Sequence, residues 1–191
     1  MIRKEQIISK KQLKDWLELD SVHYQTQCQP FWKRLKYNLL AHPCMDQYYT
    51  WLYVKTLRHC EYHINNSGFF HKIWRVIYLH NLRRLGYKTG FQIPPNVTGP
   101  GLNLPHYGVI IINDNCNIGR NVTLYSGVCI GWKKRGLPCP VIGDNVFIGT
   151  GTNVIGDVHI GDNVTIGQNC VIVKDIESDS TVVAQPPRIL K

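Results

Sequence analysis

His106 stands in GLNLPHYGV, between a proline and a tyrosine, with short apolar runs on either side. Imidazole groups in water titrate near ~6.5, so a histidine so placed can take a proton from a hydroxyl and hand one to a departing thiolate at neutral pH. On its own, the segment reads first as a structural histidine at the entry to a β element. Cys139, in GLPCPVIG, carries a thiol that could act as a nucleophile. No histidine near it in sequence would activate it, so packing or lining a substrate site is the expected role. Lys133, Lys134 and Arg135, a few residues earlier, could hold phosphates or an anionic acceptor, and a solvated run of charge would look the same. His59, Cys60 and His63 include the i, i+4 histidine spacing that can bind metal on a helix, but no further ligand accompanies them and no metal is expected. The sequons at Asn65, Asn96, Asn121 and Asn163 carry little weight in a chain that begins without an apolar leader.

The elements that must position these groups are set by an internal repeat. Ile112, Ile118, Leu124, Ile130, Ile142, Ile148, Val154, Ile160, Ile166 and Ile172 share one phase of a six-residue period, and only slot 136, a glycine in WKKRGLPCP, fails. Ile, Leu and Val make up 52 of 191 residues. At that frequency the pattern would arise by chance about once in ten thousand trials, so the period is a structural signal. Glycine follows the aliphatic residue at 119, 131, 143, 149, 161 and 167, and a small or β-branched residue recurs four after it, from Cys116 to Cys170. Six is not a helical period. It describes short strands that turn one large and one small side chain inward, with Gly, Asn and Asp at corners that need positive φ. IGRNVT, IGDNVF and IGDNVT are near-copies of one unit, and stacking such units is what buries their inward side chains.

Residues 1–90 follow another rule. YYTWLYVKTLRHCEYHI and FFHKIWRVIYLHNLRRLG have helical spacing, with Phe70, Trp74, Ile77, Asn81 and Leu85 roughly on one face and Gly86 and Gly90 as expected helix ends. The Pro- and Gly-rich IPPNVTGPG reads as a joint, which places a boundary near residue 90. The formal charge of +9 belongs wholly to this half, which has 15 Lys+Arg against 6 Asp+Glu, whereas residues 91–191 have 7 against 7. A basic half suits a polyanion, a membrane surface or an acidic partner, and a solvated basic surface equally. No nucleic-acid motif accompanies it, and no nucleic-acid partner is expected. With no apolar leader and no membrane-length apolar run, the expected address is the cytoplasm, with the basic half offering a route to peripheral association with the inner membrane face. Seven cysteines without a CxxC pair fit a reducing compartment.

GLNLPHYGVIIINDNCNIGRNVTLYSGVCIG, PVIGDNVFIGTGTNVIGDVHIGDNVTIG and VVAQPPRIL resemble, in that order, the serine acetyltransferase branch of the hexapeptide-repeat acyltransferases, a branch that includes polysaccharide O-acetyltransferases. The resemblance covers about residues 90–190. It implies a mainly β fold, a left-handed parallel β-helix over 91–191 behind an α-helical region over 1–90. It also implies a homotrimer, which the N-terminal helices could pair into a hexamer, and acetyl-CoA held between neighbouring subunits. His106 falls where the family has its catalytic base, acting by direct attack of the acceptor hydroxyl on the thioester. Gly131, Gly149, Thr150, Gly151 and Gly167 fall where short side chains admit the pantetheine arm, and Lys174 and Arg188 are candidates for the nucleotide phosphates. Pro105, Tyr107, Lys134, Arg135 and Cys139 are assigned to the substrate side.

The chain departs from the serine-specific pattern at three points. Pro105 stands where an Asp precedes the histidine, FQIPP replaces a segment bearing another acid, and Cys139 replaces a second histidine. Loss of carboxylates suited to an amino group favours a neutral saccharide hydroxyl, of a surface polysaccharide, as the expected acceptor. Serine O-acetylation on the route to cysteine is the alternative, and a trimeric β-helix scaffold without activity is the non-enzyme reading.

Overall fold

The computed structural model describes residues 5–24 and 47–185. Arg188 and the proline tail, with Cys28 and Cys44, lie outside the described residues.

The six-residue period becomes a three-sided prism. Short strands follow one another as β1 (Phe91–Gln92), β2 (Ile110–Ile112), β3 (Asn117–Ile118), β4 (Thr123–Leu124), β5 (Cys129–Gly131), β6 (Val141–Ile142), β7 (Phe147–Ile148), β8 (Asn153–Ile155), β9 (His159–Ile160), β10 (Thr165–Ile166), β11 (Val171–Ile172) and β12 (Thr181–Val182). They form three parallel sheets: a first face ordered β1-β2-β5-β8-β11, a second ordered β3-β6-β9, and a third ordered β4-β7-β10-β12. From β2 to β11 consecutive strands fall on consecutive faces, the winding of a left-handed parallel β-helix. All ten repeat positions lie in strands and are at most 6% exposed. They stack in register, as in Ile112 on Ile130 on Val154 on Ile172, and Leu124 on Ile148 on Ile166 on Val182. Burying such a side chain contributes about 1.5–3 kcal/mol, so the column of aliphatics holds the coils together. Slot 136 fails because it falls in an excursion between β5 and β6.

The corners explain the Asn and Asp. Asn121, Asn145, Asn163 and Asp179 take φ of 53°, 57°, 59° and 60°, the left-handed region that Asn and Asp tolerate better than other side chains. Their side chains form a ladder, Asn121 donating to Asn145 at 3.1 Å, Asn145 to Asn163 at 3.0 Å and Asn163 to Asp179 at 2.9 Å. The prism also begins one coil before the period does. Phe91, Ile93, Val97, Leu102 and Leu104 are buried, β1 pairs with β2, and bridges join Thr98 to Ile118 and Asn103 to Thr123.

Over this first coil lies a helical layer: α1 (Lys10–Ser21), a 3-10 turn (Val22–Tyr24), α2 (Gln47–Asn65) and α3 (Phe69–Thr89). Ser9 caps α1 by accepting from the Gln12 amide at 3.1 Å. Two expectations are corrected. Gly86 lies inside α3, and the helix ends at Gly90, whose φ of 82° makes the left-handed cap. At Gly86 a Cβ would sit 2.7 Å from the Phe91 carbonyl oxygen, so its glycine admits the strand rather than ending the helix. The face read from Phe70, Trp74 and Ile77 is exposed, at 75%, 46% and 40%, while α3 packs through Tyr78, Leu82 and Leu85. Aromatic and aliphatic residues surround α3, so its spacing could not select a face.

Arg58 ties layer to prism. Fully buried, it donates to Asp20 at 2.7 Å, to Glu61 at 3.0 Å, and to the carbonyls of Thr98 at 3.0 Å and Gly99 at 2.6 Å. Burial works against the guanidinium charge, but Asp20 and Glu61 outweigh it and raise its pKa above the ordinary value. Glu61 is itself pushed up by burial, against the opposing pull of Arg58. No helix among the described residues is long and apolar enough to cross a membrane.

Candidate active site

His106 occupies an exposed turn at the corner between the third and first faces, after the Asn103 bridge and before β2. Its ring centroid lies 5.9 Å from that of Tyr125, which in turn lies 5.3 Å from Phe147. The same corner recurs beneath it in each coil. The Gly127 amide donates to Val109 at 2.6 Å, Gly151 to Ser126 at 3.0 Å and Asn169 to Thr150 at 2.8 Å, linking successive turns. Gly149, Thr150, Gly151 and Gly167 therefore stand in one strip below His106, flanked at its head by Pro105 and Tyr107.

The remaining candidates stand elsewhere. Gly131 ends β5, Lys174 follows β11, and Lys134, Arg135 and Cys139 lie in the excursion, all at the corner between the first and second faces. Lys134, Arg135 and Lys174 are exposed, whereas Cys139 is 7% exposed with its thiol 3.3 Å from Asn113 Oδ1. One chain thus separates the two sets by the width of its first face.

The strip can be tested for a thin acyl carrier. Its glycines are not equivalent: a Cβ at Gly149 would lie 2.8 Å from the Gln168 nitrogen, and Gly151, with φ of 73°, would meet Asn169 Oδ1 at 2.4 Å. Those two are required by coil stacking. At Gly167 the nearest atom would be 3.4 Å away, an ordinary contact, so stacking does not demand a glycine there. A partly exposed Gly167 stands below an exposed Thr150 on the corner that carries His106. Gly131 also has room, its nearest neighbour being the Asn113 Cβ at 3.5 Å, but it is buried within the chain.

Sequence reasoning passed over Tyr125. Its signal was a departure: the residue after the aliphatic slot is glycine in six repeats, and a tyrosine follows the slot at Leu124. The i, i+4 histidines engage neighbouring rings. His59 stacks on Tyr78 at 5.2 Å, and His63 Nδ1 lies 3.0 Å from His71 Nδ1. Burial, then Lys55 and His63, lowers the His59 pKa; burial, then His71, lowers that of His63. Between them burial pushes the Cys60 thiol up to about 12.

Residues 139–174 match the bacterial transferase hexapeptide family, six repeats. The chain is 43% identical over 106 residues to a serine acetyltransferase of Staphylococcus aureus, covering 54% of this chain and 50% of that one. It is 36% identical over 137 residues to the serine acetyltransferase of Staphylococcus xylosus, covering 63% of each. The chain spans about half the length of the first of these curated relatives. Among solved structures, soybean serine acetyltransferase superposes with a TM-score of 0.69 at 22% identity, over 95% of this chain and 70% of that one. The serine acetyltransferase of Neisseria gonorrhoeae in complex with serine gives 0.63 at 23%, over 94% and 70%. These likenesses show the fold.

They also correct the expected acceptor. The saccharide reading rested on missing carboxylates near positions 92 and 105, yet the relatives at 36–43% identity are serine acetyltransferases. The physical reason is that an ammonium group can donate to oxygens of several kinds, carbonyl and hydroxyl oxygens included, so two sequence positions do not decide its recognition.

Proposed function

We propose that this chain, built on bacterial transferase hexapeptide repeats and similar to serine acetyltransferases, transfers an acetyl group from acetyl-CoA to the hydroxyl of L-serine. The observation that carries this reading is His106, exposed at the head of the small-residue strip. Acetyl-CoA supplies a thioester whose acyl carbon is open to attack. His106 takes the proton from the serine hydroxyl as its oxygen bonds to that carbon, then returns the proton to the sulfur as the C–S bond breaks. No acyl-enzyme is needed, because holding hydroxyl and thioester together supplies most of the advantage.

In this reading residues 91–191 carry the chemistry and residues 1–90 form a helical region over the first coil. Gly149, Thr150, Gly151 and Gly167 would hold the pantetheine arm, with Arg188 and the Lys174 of a neighbouring copy toward the phosphates. Pro105 and Tyr107 would face the acceptor. Lys134, Arg135, Cys139 and Lys174 stand a face away from His106 beside the buried Gly131, so this corner would serve the strip of a neighbouring copy, which makes a homotrimer the proposed working unit and a hexamer an extension of it. A cytoplasmic setting belongs to the same proposal.

The test is to incubate the full chain with acetyl-CoA and L-serine while following free thiol, with sedimentation on the same sample. Serine-dependent thiol release by a trimer or hexamer supports the proposal. Absence of serine-dependent release from folded protein would reject the activity, and an active monomer would reject the shared site.

A further inference from the structure

The turn that carries His106 is fastened at both ends by the helical layer, and the proposed chemistry uses neither fastening. Upstream, the Leu104 amide donates to the Tyr24 hydroxyl at 2.8 Å, and that hydroxyl donates to the Leu102 carbonyl at 3.4 Å. Asp20 accepts from the Gly101 and Leu102 amides at 2.7 and 2.8 Å. Pro105 has no amide proton, so Leu104 is the last donor available before the histidine. Downstream, the Gly108 amide donates to the Thr89 carbonyl at 2.7 Å, and the Ile110 amide to the Gly90 carbonyl at 3.2 Å. Gly90 approaches so closely that a Cβ there would lie 2.9 Å from the Gly108 carbonyl carbon and oxygen.

We infer that Tyr24 is a positioning residue for His106: its hydroxyl and the Thr89 carbonyl pin residues 104 and 108, so the helical layer sets where the imidazole stands above Tyr125. The inference rests on the reading of His106 as the base. Tyr24 is 1% exposed and its ring stacks on Trp51 at 5.3 Å. A phenylalanine keeps that packing and loses only the hydroxyl. The buried Leu104 amide is then left without its acceptor, which a folded protein avoids by moving the chain. The chain free to move there is the His106 turn, and small displacements of a reacting group reduce rate much more than they reduce binding.

Tyr24→Phe in the full chain separates positioning from packing. The expected result is a fall in kcat of about tenfold, with KM for acetyl-CoA within about twofold because the strip below is untouched. The His106 imidazole resonances should shift and broaden while the amide signals of β5–β11 stay in place. In the wild-type protein the Leu104 and Gly108 amides should exchange with solvent as slowly as that of Ile130. A folded Tyr24→Phe protein with unchanged kcat and unmoved His106 signals overturns the inference. Fast exchange at Leu104 in the wild type also overturns it, and that measurement needs no variant to fold. A wild type without acetyl transfer would reject the proposed function instead, leaving the His106 spectra and the exchange rates to decide the clamp.

Discussion

Ile148 in the prism and Arg58 in the helical layer are both sealed from water, but different interactions replace it. Ile148 exchanges water for Leu124 above and Ile166 below, contacts that any similar aliphatic could supply. Arg58 exchanges it for two carboxylates and two carbonyls fixed within hydrogen-bond distance, with Trp16 at 4.9 Å from its guanidinium carbon. The prism is redundant and tolerant; the junction is singular and brittle. The difference is general: periodic burial spreads its free energy over many equivalent positions, whereas a buried ion cluster concentrates it on one residue whose loss strands the others.

The largest expected effect is therefore at the junction. Arg58→Ala leaves Asp20 and Glu61 buried without their cation and should reduce stability by about 3–5 kcal/mol in urea denaturation. An effect under about 1 kcal/mol would break the contrast. At a prism corner, Asn145→Ala forces an ordinary side chain into the left-handed region and should cost about 1–2 kcal/mol. Asn145→Gly, which lifts that strain but also loses the ladder, should cost less, and equal losses would mean the ladder matters more than the conformation. Within the column, Ile148→Val should cost only about 0.5–1.5 kcal/mol.

The smallest effect is one of pH. His59 and His63 have pKa values held below the ordinary value in the folded state. Their neutral forms therefore contribute stability that is present above about pH 6.5 and lost as pH falls below it, because the unfolded chain takes up protons first. Amide exchange in α2 and α3 should accelerate between pH 7 and pH 5 relative to β5–β11. Replacing both histidines with glutamine should remove that difference; uniform acceleration across the chain would sharpen the account against a local origin.

Ten aliphatic slots foretold one inward aliphatic in each strand from β2 to β11 because a strand corner repeats the same steric demand each time, while Ile110, buried in β2, falls outside them. The first coil, from Phe91 to Leu104, was illegible as repeat because it is shaped by the helices above it. His106, Thr150 and Gly167, singled out through the resemblance, lie at one corner of the prism, between its third and first faces. The site was not legible where it is tertiary. Tyr24 and Leu104 are 80 positions apart and touch only because Asp20 and Arg58 seat the layer. Gly149 and Gly151 carry a second demand that the sequence did not show, since coil stacking requires a glycine there whatever the strip admits.

The most direct test is acetyl transfer to L-serine by His106→Ala, with folding and assembly checked by circular dichroism and sedimentation. The account predicts a folded protein whose kcat falls by about 10²- to 10⁴-fold. Transfer at the wild-type rate by that folded variant would contradict it.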